Sequence, residues 1–152
     1  MQHIWSVLCR SSQIDIDTNN ISINNVFEQL VVTADLQEQV QKQGTINIPI
    51  EYEVVSLWAK EPQEKKTKAE IALDIIDPRG NRLKSFTQVG EMPEAMRRLR
   101  TRFRIQGLGL TTSGIYKFIV RIKEESRKDF RTVSEVPLEV HLNKPLKNPA
   151  QN

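Results

Sequence analysis

The run 97-RRLRTRFRI-105 places an arginine at every second position from 98 to 104. In a β-strand, Leu99, Thr101, Phe103 and Ile105 would face one way and Arg98, Arg100, Arg102 and Arg104 the other. The basic positions would then stand roughly 7 Å apart, at ~3.3 Å of rise per residue. That is close to the spacing of successive phosphates along an extended nucleic acid strand, so the row could hold phosphates in a salt-sensitive way without reading sequence. Base stacking needs exposed aromatics, and the one aromatic in the run, Phe103, falls on the apolar side. A plainer reading is a solvated outer face. Its arginines would pair across a sheet with acids such as Glu51, Glu53, Glu70 and Asp74, and would deter edge-to-edge aggregation. We take the plainer reading first and keep anion or nucleic-acid binding through 97–105 as the alternative.

Other candidate chemistry is sparse. The segment 15-DIDTNN-20 starts like a calcium loop, but the sixth position is Asn20 rather than Gly and the twelfth is Val26 rather than Glu. A polar turn explains it better, because Asn and Asp tolerate left-handed backbone and bond their own turn. Cys9 with His3 or His141 is the one conceivable nucleophilic pair. Cys9 shares a strand face with Trp5 and Val7, which predicts a buried, inert thiol, and His141 falls on a solvent face with Glu139. With two histidines and one cysteine, no transition-metal ligand spacing is visible. Gly107 and Gly109 form a lone G-x-G with no helix to follow, read as a flexible corner between strands. No catalytic residue, metal or cofactor is therefore expected.

The elements that would position these residues are mostly strands. Residues 3–10 alternate; ISINNVFEQLVV opens with Ile21 and Ile23 in alternation; TINIPIEYEVVSLWA sets Ile46, Ile48, Ile50, Tyr52 and Val54 on one side. The phase shift at Val54–Val55 suggests a bulge there, and Pro49 suits an edge position or a strand's beginning. AEIALDII and NRLKSFTQV are joined by Asp77-Pro78-Arg79-Gly80, with Pro and Gly placed for a type I turn. RRLRTRFRI, GIYKFIVRI and VSEVPLEVHL complete the set. Residues 60–68 read as a solvated loop. Two short helices are expected, at 35–44 with Asp35 as N-cap and Gly44 as stop, and at 91–98. The fold class is thus all-β, an Ig-like antiparallel sandwich of about 7–8 strands spanning 1–142, with residues 143–152 as a disordered tail.

At 152 residues, a single domain buries roughly 68–70% of its unfolded surface and can hold a core unaided. One cysteine allows no internal disulfide, which favours a reducing compartment and a cytoplasmic location. No apolar run approaches the ~18–20 residues that span a bilayer, so no membrane is expected as a partner. Residues 1–76 hold six Lys/Arg against eleven Asp/Glu, and residues 77–152 sixteen against eight. The second half is the more suitable surface for an anionic partner.

Two resemblances follow. Ser113-Gly114-Ile115-Tyr116-Lys117-Phe118 is similar to the strand start that carries the tyrosine corner of immunoglobulin-like sandwiches. That resemblance implies that the Tyr116 hydroxyl anchors the Leu110–Gly114 turn and that Phe118 packs where a disulfide would lie. Leu8-Cys9, Asp15–Asn20, Ile21–Phe27, Asp77–Gly80 and Gly114–Phe118, in that order, resemble a bacterial family of small β-sandwich proteins of unknown function. Arg10 stands where an acid often follows the cysteine, and Asn25 where a glycine often precedes the apolar pair. That family implies no activity, ligand or site. The expected function is a non-catalytic binding or scaffold module contacting another protein, or a second copy, through a sheet face or edge.

Overall fold

A computed structural model describes residues 1–142, and of Ala34 the backbone alone; the expected disordered tail at 143–152 lies outside them. Nine strands and one helix follow in the order β1 (Gln2–Ile14), β2 (Ile21–Val26), β3 (Gln29–Val32), α1 (Ala34–Gln43), β4 (Ile46–Ala59), β5 (Thr67–Ile76), β6 (Arg82–Met92), β7 (Arg98–Leu110), β8 (Gly114–Glu124) and β9 (Arg131–Leu142). They form two sheets, ordered β2-β1-β4-β7 and β3-β9-β8-β5-β6. The result is the expected all-β sandwich, with one departure from antiparallel pairing: β3 runs parallel to β9.

Alternation decides which side chains enter the core. In β4 and β7 the pairs Tyr52–Ile105, Val54–Phe103, Ser56–Thr101 and Trp58–Leu99 point inward. They meet Ile71, Leu73 and Ile75 of β5 and Tyr116, Phe118, Val120 and Ile122 of β8. The Tyr52 and Phe118 rings meet edge to face at 5.9 Å between centroids, so Phe118 fills the centre of the core.

Several expectations are corrected. ISINNVFEQLVV is not one strand. Asn25 takes a left-handed φ of 51°, and the chain passes from the first sheet to the second, β2 lying in one and β3 in the other. Asparagine tolerates that conformation almost as glycine does, which accounts for Asn25 at its position. The bulge in β4 is not at Val54–Val55 but between Ile48 and Glu51. There Pro49 lacks a donor, and Gly107 opposes the bulge with φ 77°. Gly107 and Gly109 therefore lie inside β7, not at a corner.

Residues 91–98 form the end of β6, a turn closed by Met96 N–H to Pro93 O, and the start of β7, not a helix. Helix α1 has its N-cap two residues earlier than expected, at Thr33, with Asp35 in the first turn, and ends at left-handed Gly44. Among the described residues, no helix is long and apolar enough to cross a membrane.

Candidate functional site

The arginine row occupies the outward face of β7, which is the edge strand of its sheet. Arg104 pairs with Glu53 at 3.0 Å, and Glu53, almost fully buried, also accepts from Ser12 Oγ at 2.5 Å. Arg102 reaches Ser12 O at 3.5 Å. Arg100 donates to Asn19 Oδ1 at 3.2 Å and also to Asn19 O. Arg98 has no partner among the described residues. Because β1 and β7 are separated by β4, these contacts mean that the far end of the β1–β2 hairpin bends across β4 onto the row. Of the four acids expected to pair with the row, Glu53 alone does so. Glu51 accepts from Gln106, Glu70 pairs with Lys123, and Asp74 with Arg121 in the other sheet.

The same arm buries what sequence alternation placed on one strand face. Trp5, Val7 and Cys9 stand opposite Leu57, Val55 and Glu53, on the side away from the core. Cys9 and Val55 are nonetheless fully buried. Burial, then the charge of Glu53, pushes the Cys9 thiol up to about 11 from an ordinary 9.0. The thiol is buried, as expected, although the arm rather than the core covers it. Its alkylation at pH 8 is expected to run at least ~100-fold slower in the folded protein than in urea, from the loss of thiolate alone. Rates within a factor of ten of each other would contradict the buried placement.

His3 does not meet Cys9. Its ring lies edge-on to Trp58 at 5.2 Å, and its Nε2 sits 2.7 Å from Ser6 Oγ, which is 2.8 Å from Ser56 Oγ. Burial holds the imidazole below its usual 6.5. This chain satisfies polar groups on the inner face, together with Trp58 Nε1–H to Thr101 Oγ1 at 2.9 Å. No carboxylate orients the ring, so the third member of a nucleophile–base–acid arrangement is absent among the described residues. His141 instead pairs with Glu139 at 3.0 Å on the surface. Asp15 accepts from Thr18 N and Oγ1 at 2.7 and 3.0 Å, the polar turn expected of DIDTNN. Among the described residues no group of three or more His, Cys, Asp or Glu is placed to hold a metal.

Two turns far apart in sequence form one corner. Tyr116 Oη accepts from Thr111 N at 2.9 Å and Thr112 N at 3.3 Å and donates to Thr112 O at 2.9 Å, the corner geometry expected of it. Thr111 Oγ1 donates to Asp77 Oδ2 at 2.9 Å. Asp77 also accepts from Arg79 N, Asn81 N and Asn81 Nδ2. Burial raises the Asp77 carboxyl, but the bonds from Asn81, Thr111 and Arg79 outweigh it and hold the group below its usual 3.8. A depressed carboxylate stabilises the fold above its unfolded pKa and loses that contribution as pH falls through its folded value. Wild-type stability should therefore drop from about pH 4 downward more steeply than that of Asp77→Asn, as read by urea unfolding. Parallel pH profiles would remove Asp77 from the corner.

The open edges differ in chemistry. β2 pairs with β1 over Cys9–Ile14, and Leu8 O accepts from Phe27 N at 2.8 Å. Among the described residues, 2–7 therefore have no backbone partner on the side away from β4. They carry no charged side chain other than the potentially cationic His3. Charge or proline guards the edges of β7, through its arginines, of β6, through Arg82, Lys84 and Glu91, and of the free stretch of β9, through Arg131, Glu135 and Pro137, whereas the edge strands β2 and β3 are uncharged. Lys84 further closes β7 by donating to Gln106 O and Gly107 O at 3.1 and 3.3 Å. Beside the β1 edge lies a largely apolar groove of about 420 Å³, lined in part by Val7, Leu8, Val26, Phe27, Val136 and Pro137. Sequence patterning missed this surface; the uncharged run QHIWSVLC was its one local sign.

No family model and no curated protein matches the chain. Among solved structures, the chain is similar to one described as "X-ray structure of Northeast Structural Genomics Consortium target SoR45", at 16% identity and a TM-score of 0.33, over 71% of this chain and 89% of that one.

Proposed function

We propose that this protein is a non-catalytic binding module that takes up a segment of another protein along the open edge of β1. The observation that carries this reading is the uncharged, backbone-unpaired stretch 2–7 beside an apolar groove, while the edges of β6, β7 and β9 bear charges or proline. Unpaired N–H and C=O groups supply affinity for an added strand, and the adjoining groove supplies selectivity. Ile4, 46% exposed at a register shift, offers a substitution that leaves the core intact. Proteins captured from the extract of the producing cells by wild type and lost with Ile4→Lys are the expected result. Identical captured sets would sink the reading.

A second reading is anion or nucleic-acid binding through Arg98, Arg100, Arg102 and Arg104. It is favoured by a carboxylate pairing with just one of the four guanidinium groups, Arg104, among the described residues, and by Trp5 standing on the same sheet face, in register with Leu57 and Arg100. Labelled oligonucleotides titrated across a salt series test it. Affinity unchanged in Arg100→Glu/Arg102→Glu ends it. In either reading we place the protein in the cytoplasm, supported by a lone buried cysteine. We also keep the likeness to the bacterial sandwich family and to Ig-like domains, supported by the meeting of the Asp77–Gly80 and Gly114–Phe118 motifs at one corner.

A further inference from the structure

We propose that the groove beside β1 recognises an extended peptide segment with an aliphatic side chain and, at the end nearest Glu28, a lysine or arginine. This rests on the edge-docking reading above and adds the chemistry of the segment.

The backbone sets where such a segment lies. The register shift between His3 and Trp5 leaves Ile4 outside the regular ladder, so Trp5–Val7 is the evenly spaced part of the open edge. The edge ends at Leu8, whose carbonyl is already taken by Phe27 N. A strand added to β1 therefore stops against Phe27 and Glu28. Side chains of that strand alternate in direction, and the one turned toward the second sheet enters the groove at Val7 and Leu8. Val26 and Ile115 on the groove wall are 56% and 52% exposed, so an aliphatic occupant removes apolar surface from water on both sides.

Charge selects the end group. Glu28 and Glu139 line the groove, and no lysine or arginine does. The Glu28 carboxylate has no partner among the described residues. Glu139 meets the side chains of Gln29 at 3.4 Å and His141 at 3.0 Å, both at the surface. Arg10 is held over the Phe27 ring at 5.7 Å. A cationic end group gains attraction to two carboxylates, whereas an anionic one is repelled. The open edge of a second copy carries no lysine or arginine over residues 2–7, so that edge does not supply the end group that the groove favours.

The test uses the full chain and two fluorescent peptides with alternating Thr and Val, one ended on both sides by lysine and one by glutamate. The lysine-ended probe is expected to bind at least about tenfold more tightly. N-methylation of its alternate amides is expected to abolish binding, and Glu28→Lys/Glu139→Lys to reverse the order of the two probes. Equal binding of the two, or an order that the double variant leaves unchanged, overturns the assigned chemistry. In that case the edge reading survives if Ile4→Lys still abolishes both. No binding of either probe at about 1 mM overturns the inference, and the edge reading then stands or falls on the capture comparison. Light scattering that shows a dimer dissolved by Ile4→Lys makes a second copy the occupant and overturns it as well.

Discussion

Gly114→Ala is expected to destabilise the protein by about 3–5 kcal/mol, the sum of a strained backbone and a forced contact. Gly114 has φ +133°, and a Cβ placed there would lie 2.9 Å from Pro78 Cβ and 3.1 Å from Pro78 Cγ. Pro78 has little room to yield, because its ring is fixed in a turn closed by Gly80 N–H to Asp77 O and by the bonds that Asp77 accepts. In a domain of this size, a loss of that order corresponds to a fall in Tm of roughly 10 °C. Tyr116→Phe removes the hydroxyl without adding volume and leaves Thr112 O and Thr111 N without their partner. It is expected to cost about 2 kcal/mol. Urea unfolding of the two single variants and the double variant separates the effects. If Gly114→Ala costs less than 1 kcal/mol, the two turns do not press on one another as described.

Asp74→Ala is expected to cost about 3 kcal/mol, because it leaves a partly buried arginine without its counter-charge. Asp74 is 3% exposed on β5, accepts from Ser85 Oγ at 2.6 Å, and pairs with Arg121 Nη2 at 2.6 Å and Arg82 Nε at 3.7 Å. Arg121 is also held over the Phe130 ring at 5.1 Å, which keeps it in place after the carboxylate is gone. Replacing both partners by apolar residues of similar volume removes the unpaired charge. Asp74→Leu/Arg121→Leu should therefore be more stable than Asp74→Leu alone, recovering most of the lost stability. Strict additivity in that double-mutant cycle would mean that the two side chains do not act as a pair. Added salt should change the wild-type contribution little, since the carboxylate is out of solvent.

What was legible in the residues follows one rule. Features set by neighbours along the chain could be read; features set by neighbours across the sheets could not. The arginine row needed nothing beyond period-2 alternation, so its face was readable, whereas its partners were not. Arg100 finds Asn19 on a hairpin that must first bend over β4. Lys60 sits in a segment that reads as solvated, yet it is 6% exposed. Its ammonium donates to Lys65 O and Pro93 O at 2.5 and 2.6 Å. Nothing in KEPQEKKTK distinguishes it from Lys65 or Lys66, because the Pro93 carbonyl arrives from another loop. Asp74 looked like one more surface acid, since Ser85 and Arg121 reach it from two different strands.

By itself, then, the sequence determined an all-β sandwich, the alternation of its faces and the two tight turns. Each of these depends on backbone preference and polarity within a few residues. Tertiary structure alone decided that the two turns are one corner, that the β1–β2 arm covers the arginine row and the thiol, and that an open, uncharged stretch of β1 lies beside an apolar groove. An edge exists where a neighbouring strand stops short. β2 ends at Val26, one residue after the left-handed Asn25, and the chain then passes from one sheet into the other.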